Sequence, residues 1–267
     1  MSISSLAQSD SKDTEAPARA SALSNADAVA VPRSLSIVLL VQNEEASIEQ
    51  VVRSLLSGLE DWATDLEILA VDRGSHDRTG ILLTRLAAEE PRLIVLHQPA
   101  GCAYGQALVR ALGLVSKEFV LLTEAQPGLN VDLLKRSFAL LSDYDAVLGF
   151  RQRQGWQRLT ALLWRWLLSF TLGLRVRDLY CPFKLYRAEF FRQPTLKLEV
   201  QGPLINAEML YKFVRAGYVY TEIAIGAERA SKPARPSLWR KLALWWEALS
   251  ELSNYSGRCY QEEHGCI

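Results

Sequence analysis

The chain has 267 residues, of which 49% are hydrophobic, and its 30 basic side chains balance its 30 acidic ones. This size allows one sizeable core, while a net charge of zero argues against a protein that binds nucleic acid or another polyanion. The four cysteines have no C-x-x-C spacing, which disfavours zinc and thioredoxin-like sites and favours a cytoplasmic protein with reduced thiols.

Residues 1–33 are rich in Ser, Ala and Asp and carry few large apolar groups. Such a segment cannot bury enough surface to offset the entropy of ordering it. We therefore predict a disordered tail at 1–33. The remainder is predicted to form one domain at 34–230, followed by an amphipathic helix and tail at 231–267.

Predicted strands and helices alternate along the first half of this domain. The strands are predicted at Ser36–Val41, Glu67–Val71, Leu93–Leu96, Phe119–Leu122 and Asp145–Gly149. The intervening helices are predicted at Glu44–Leu56, Asp77–Glu89, from the Gly101–Gly105 turn to Leu114, and at Leu133–Leu141. This alternation indicates an α/β fold with a mostly parallel sheet and helices on both faces.

The second half has a different pattern. An apolar, Trp-containing helix is predicted at 156–174, followed by a hairpin-like region at Tyr180–Arg187, a helix at Asn206–Ala216, a strand at Val219–Ile225 and an amphipathic helix at Ser237–Leu252. Both Trp-rich helices combine Trp and Leu with Arg or Lys, which suits the surface of a membrane. The alternative is that helix 156–174 packs in the core. No apolar stretch reaches the roughly 18 uncharged residues of a spanning helix.

Polar clusters follow the first two predicted strands. Gln42, Asn43 and Glu44 come after the first, and Asp72, Arg73 and Ser75 end or follow the second. Because parallel sheets bind ligands at the carboxyl ends of their strands, we expect these side chains to line one crevice. The alternative is that they serve only as turn and helix-cap residues.

These clusters also carry a family resemblance. Residues 41–45 (VQNEE) and 71–75 (VDRGS) resemble the V-x-N-E-E and V-D-D-G-S motifs of family-two glycosyltransferases, which have a GT-A fold. Residues 177–185 (RDLYCPFKL) resemble the R-D-x-x-C-G-F-K segment of the polyprenyl-phosphate branch, the dolichol-phosphate mannosyltransferase type. The resemblance covers roughly residues 35–230. It implies inverting transfer of a sugar from a nucleotide-sugar donor to a polyprenyl phosphate or another membrane-proximal acceptor, by a cytoplasmic protein held peripherally at the membrane.

The resemblance also implies roles for individual residues. Sugar-donor binding is implied for Gln42, Glu44, Asp72, Arg73, Glu124, Ala125, Gln126 and Arg151. Catalytic roles are implied for Asp178, Arg151 and Lys184. Mg²⁺ or Mn²⁺ would be held by Glu124 and Gln126. Glu208 matches a family acid, but a surface position on its helix is an equal alternative.

Several residues depart from the family pattern. Arg73 replaces the second Asp of V-D-D-G-S, and the family's D-x-D is Glu124-Ala125-Gln126 here. Hard cations favour carboxylate oxygens, so metal binding is predicted to be weak or absent. Two alternatives therefore stay open. One is a degenerate relative that binds a nucleotide or a partner without turnover, and the other is a membrane scaffold that uses the two Trp-rich helices.

Overall fold

The structure is a computed structural model that describes residues 34–125, 131–152 and 156–225, together with Ser250 and Tyr255. Within the helix that begins at Trp156, it describes the backbone but not the side chains of 156–161 and Trp164. The predicted tail at 1–33 and the predicted helix at Ser237–Leu252 lie outside the described residues, apart from Ser250. The predicted domain boundaries therefore stay predictions.

Strands and helices alternate in the described residues as the sequence predicts. The strands are β1 (Ser34–Val41), β2 (Asp65–Asp72), β3 (Leu93–His97), β4 (Phe119–Glu124), β5 (Ala146–Arg151), β6 (Lys184–Arg187) and β7 (Tyr220–Ile225). The α-helices are α1 (Ile48–Leu59), α2 (Thr79–Glu89), α3 (Tyr104–Leu112), α4 (Val131–Leu140), α5 (Trp156–Leu172) and α6 (Ile205–Arg215). A 3₁₀-helix at Ala188–Arg192 follows β6.

These strands form one sheet in the order β3-β2-β1-β4-β6-β5-β7. Every pairing is parallel except those of β6, which runs antiparallel to both β4 and β5. The predicted α/β fold with a mostly parallel sheet is therefore confirmed. The hairpin-like prediction for Tyr180–Arg187 was wrong, because this region supplies a single strand whose two partners are distant in sequence.

The helices cover both faces of the sheet, and successive β1 residues show how. Ile37 and Leu39 pack into a cluster with side chains of α1, α2 and α4. Val38 and Leu40 pack into a second cluster with side chains of α3, α5 and α6. Since residues alternate between the two faces of a strand, this is a three-layer arrangement with a core on each side of the sheet.

Helix α5 has one buried face and one exposed face. Leu168 and Leu172 lie in the core, whereas Trp166 is 62% exposed and Phe170 is 78% exposed, with their rings stacked at 5.6 Å. Leu162 and Leu163 are also exposed. One face of α5 therefore packs in the core, as the first alternative predicts, and the other face is exposed, as the surface alternative predicts. In the part of the chain that the structure describes, none of the helices combines the length and the hydrophobicity of a membrane-spanning segment.

Candidate functional site

The sheet brings the polar clusters together at one edge. Val41 is paired with Asp72, and Leu40 is paired with Glu124, so β1, β2 and β4 end side by side. The loops that follow these strands therefore meet at the carboxyl edge of the sheet, as the sequence predicts. This edge is where open α/β sheets bind ligands.

The first two loops are joined by hydrogen bonds. The backbone N–H of Asn43 donates to Ser75 Oγ at 3.0 Å, and the backbone N–H of His76 donates to Asn43 Oδ1 at 2.8 Å. Asn43 has a φ of 56°, a left-handed conformation that asparagine tolerates better than most residues. Nearby, the N–H of Glu44 donates to Thr79 Oγ1 at 2.8 Å. The turn alternative therefore accounts for Asn43 and Ser75.

The side chain of Asp72 is hydrogen-bonded within the second loop. Its carboxylate accepts hydrogen bonds from the N–H of Ser75 at 2.9 Å and from Ser75 Oγ at 2.6 Å, and it lies 3.3 Å from His97 Nδ1. Asp72 is only 6% exposed. These contacts fix the loop that carries Arg73, and direct binding of a sugar donor by Asp72 stays a prediction.

A cavity of about 190 Å³ lies beside this loop and is lined in part by Arg73. We call it the Arg73 cavity. Its lining includes five of the predicted sugar-donor residues, and the full set is Leu40, Val41, Gln42, Glu44, Arg73, Tyr104, Glu124 and Ala125. The structure therefore gathers side chains from three separate loops around one space, although Asp72 and Arg151 do not line it.

A second cavity of about 180 Å³ adjoins the first and shares Leu40, Tyr104 and Glu124 with it. We call it the Lys184 cavity. Its other lining residues are Leu122, Thr123, Tyr180, Pro182, Lys184, Pro203 and Asn206. Tyr104, which borders both spaces, was not predicted from the sequence. The only signal in the sequence was its place in the Gly101–Gly105 turn, at the start of a predicted helix.

Lys184 is a buried cation in the second cavity. Its Nζ donates to Asn206 Oδ1 at 2.9 Å. Burial lowers the pKa of Lys184 to about 8, because the charged ammonium loses its hydration, while Cys181, Glu124 and Asp178 act in the opposite direction. Tyr104 is also hydrogen-bonded to Asn206, and burial raises the pKa of its phenol.

The predicted residues Arg151 and Asp178 form an ion pair with each other. Arg151 Nε lies 2.7 Å from Asp178 Oδ2, and Arg151 Nη2 lies 3.0 Å from Asp178 Oδ1. Nη2 also donates to the carbonyl of Tyr180 at 3.0 Å, which places the pair beside the Lys184 cavity. A paired geometry of this kind holds both side chains firmly. Their catalytic roles stay predictions.

Glu208 is fully buried, so the alternative of a surface position was wrong. Its carboxylate accepts hydrogen bonds from the N–H groups of Glu199 and Val200 at 2.8 to 3.0 Å and pairs with Lys212 Nζ at 2.9 Å. The carbonyl of Gln201 in turn accepts from the N–H of Gly105 at 2.6 Å. Glu208 thereby fixes residues 199–201 against the start of α3, next to both cavities.

The residues at this edge fit a divalent cation poorly. Glu124 is the sole carboxylate from 124 to 131 in the sequence, and Gln126 lies outside the described residues. In the part of the chain that the structure describes, no three His, Cys, Asp or Glu side chains are grouped as metal ligands. Magnesium can bind through one or two carboxylates when phosphates and water complete its shell, so Glu124, with Glu44 in the lining of the same cavity, provides a minimal site.

Comparisons with known proteins place the sequence in a family. The sequence model described as "Glycosyl transferase family 2" matches residues 36–194. The chain is 26% identical over 214 residues to "Glycosyltransferase AglD" of Haloferax volcanii, covering 76% of this chain and 34% of that protein. It is 26% identical over 210 residues to "Dolichyl-phosphate beta-glucosyltransferase ALG5A" of Trichomonas vaginalis, covering 72% and 64%. The chain thus spans between one third and two thirds of these relatives.

A solved structure shows the same fold. It is the Mycobacterium tuberculosis glucosyl-3-phosphoglycerate synthase in complex with Mn²⁺, uridine diphosphate and glucosyl-3-phosphoglycerate. The TM-score is 0.66 at 24% identity, and the match covers 84% of this chain and 80% of that one. At this identity the comparison establishes the architecture, and the Mn²⁺ and nucleotide belong to that protein.

Proposed function

The chain belongs to glycosyl transferase family 2, and on that basis we propose that it moves a sugar from a nucleotide-sugar donor to a polyprenyl phosphate or another membrane-proximal acceptor, with inversion. One observation carries the proposal. Two adjoining cavities meet at Tyr104 and Glu124, one lined by residues of the nucleotide motifs and the other by Lys184 of the polyprenyl-phosphate segment. The similarity to a dolichyl-phosphate glucosyltransferase supports the acceptor class.

The chemistry of a phosphate acceptor suits these residues. A phosphate oxygen of the acceptor attacks the anomeric carbon, and the bond from that carbon to the nucleoside diphosphate breaks on the opposite side. A phosphate monoester is already ionised near neutral pH, so the site needs no strong general base. Asp178, which is held by Arg151, then positions the sugar or acceptor rather than removing a proton. Positive charge near the leaving diphosphate stabilises the transition state.

The direct test is transfer from a panel of nucleotide sugars to a polyprenyl phosphate in detergent, with chromatographic detection of the lipid-linked sugar. The unphosphorylated polyprenol is the matched control acceptor. We expect product with the phosphate and none with the alcohol. Nucleotide binding in a thermal-shift screen without transfer to any acceptor would favour the degenerate relative instead, an alternative that the altered residues Arg73, Glu124 and Gln126 keep open.

We expect the rate of sugar transfer to depend only weakly on a divalent metal ion. Glu124 provides the single carboxylate at the D-x-D position, so chelation with EDTA should reduce transfer without abolishing it. Gln126→Asp should tighten Mn²⁺ binding, measured by calorimetry, because it adds a charged oxygen ligand. Complete loss of transfer on chelation, with no tighter Mn²⁺ binding in Gln126→Asp, would show that the metal is held by other residues.

The exposed face of α5 is proposed to rest on an anionic membrane. Trp166 and Phe170 project from it, and Arg165 on the same helix and Arg175 just after it are exposed. Each cation near an anionic surface contributes about 1 kcal/mol, so attachment should be reversible and sensitive to salt. Replacing both Trp166 and Phe170 with Ser should reduce flotation with anionic liposomes while leaving the circular dichroism spectrum unchanged.

The control for this prediction is Ile81→Ser. Ile81 is 72% exposed and lies on α2, which packs on the other face of the sheet. Its replacement removes exposed apolar surface without touching α5, so flotation should stay at the parent level. A folded Trp166→Ser, Phe170→Ser protein that floats as well as the parent would exclude α5 as the attachment site.

A further inference from the structure

Arg73 has no counter-ion among the residues that the structure describes. Within that part of the chain, its Nε is buried and has no hydrogen-bond partner, and no ion pair includes its guanidinium. The backbone is held by its N–H, which donates to the carbonyl of Val41 at 3.0 Å. The guanidinium carbon lies 5.3 Å from the centre of the Tyr104 ring. A buried group with an unmet hydrogen-bonding capacity is costly for the fold, which points to an anion that is bound in function.

Lys184 is a second buried cation whose hydrogen-bond partner is a neutral group. It is 6% exposed, and its Nζ bonds to the neutral amide oxygen of Asn206 rather than to a carboxylate. It lines the cavity that adjoins the Arg73 cavity through Tyr104 and Glu124. Arg151 does not share this property, because Asp178 and the carbonyl of Tyr180 already occupy its guanidinium.

We infer that Arg73 and Lys184 together bind the diphosphate of the sugar donor and neutralise it in place of a carboxylate-held divalent cation. This inference rests on the proposed function and names how that site holds its substrate. The planar guanidinium of Arg73 can contact two phosphate oxygens at once, and Lys184 adds a compact point charge.

The charge pattern of the sequence supports the same assignment. Relative to the family motifs, the second Asp of V-D-D-G-S has become Arg73, which reverses the sign of the charge, and the last Asp of D-x-D has become the neutral Gln126. Both changes make the site less favourable for a cation and more favourable for an anion. The two departures that weaken a metal site therefore act together to strengthen a diphosphate site.

The test is calorimetric titration of the full chain with UDP and GDP, each in EDTA and again in Mn²⁺. For whichever nucleotide binds, we expect affinities in the two conditions to agree within about threefold. Arg73→Met should weaken diphosphate binding by at least about tenfold, which corresponds to 1.4 kcal/mol, but should leave binding of the matching nucleoside unchanged. Arg85→Met is the control, since Arg85 is an exposed residue of α2 paired with Glu49, and it should bind like the parent.

The reverse substitution sharpens the test. The double variant Arg73→Asp, Gln126→Asp restores the carboxylates of the family motifs, so its diphosphate binding should be lost in EDTA and recovered in Mn²⁺. Arg73→Gln, which removes the charge but keeps a polar side chain, serves if Arg73→Met fails to fold, and the same loss of diphosphate binding is expected. Binding of UDP or GDP by the parent only in Mn²⁺ would overturn the inference while leaving the proposed function intact. Absence of nucleotide binding in both conditions would overturn both.

Discussion

Lys184→Met is expected to stabilise the fold at pH 7 by about 2 kcal/mol and to reduce sugar transfer at least about a hundredfold. The stability gain follows from the pKa of Lys184, which burial lowers to about 8 from the ordinary lysine value of 10.5. At 1.36 kcal/mol for each pH unit, carrying the charged ammonium in the interior costs about 3 kcal/mol. Loss of the hydrogen bond to Asn206 offsets about 1 kcal/mol of the gain.

Because the pKa of Lys184 is lower in the folded protein than in the unfolded chain, the stability gain of Lys184→Met depends on pH. With a pKa of about 8, Lys184 loses its proton near pH 8 in the folded protein, whereas the unfolded chain holds the proton until about pH 10.5. The parent therefore gains stability as pH rises through this interval, and the full cost is present below pH 8. The advantage of Lys184→Met in urea unfolding should accordingly be largest at pH 7 and should shrink by pH 10.

The loss of transfer has a separate cause. The charged Lys184 is proposed to contact the phosphate groups in the site, and methionine preserves the volume without the charge. Lys117→Met provides the control, because Lys117 pairs with Asp65 near the amino ends of β1 and β2, at the opposite edge of the sheet, and it should transfer sugar like the parent. Full activity in a folded Lys184→Met protein would remove Lys184 from the site, and destabilisation at both pH values would make it a structural residue.

The sequence was sufficient to predict the sheet and the edge at which its polar loops meet. Alternating apolar runs locate β1, β2 and β4, and parallel pairing places their carboxyl ends together. Partner choice was harder to predict for β6, because its four residues carry no indication that they insert between β4 and β5. The local pattern defines a strand, whereas contacts between distant segments decide its neighbours.

Individual roles at the site depended on where each side chain points. Asp72 and Arg73 are adjacent, yet Asp72 accepts hydrogen bonds inside its own loop while Arg73 faces the cavity. The pairing of Arg151 with Asp178 joins the end of β5 to a segment 27 positions later. Neither outcome follows from spacing, because both depend on the path of loops whose conformation is set by the assembled fold.

Glu208→Ala is expected to cost about 3 kcal/mol of unfolding free energy and to impair transfer. The carboxylate is fully buried and receives the N–H groups of Glu199 and Val200 as well as the ammonium of Lys212. Removing one partner of a buried pair costs about 3 to 5 kcal/mol. The lower value applies because the side chain of Lys212 is 27% exposed and can regain water.

The effect on transfer would arise through the loop rather than through the reacting atoms. Residues 199–201 pack on Gly105, where an added Cβ would lie 2.7 Å from the carbonyl oxygen of Gln201, and Gly105 follows Tyr104 of both cavities. Glu208→Gln keeps the shape and one accepting oxygen, so it should lose less stability than Glu208→Ala. Hydrogen exchange should show faster amides at Glu199 and Val200 in both variants. Unchanged exchange at these amides in Glu208→Ala would mean that the loop is held by its other contacts, and Glu208 would then have no part in shaping the site.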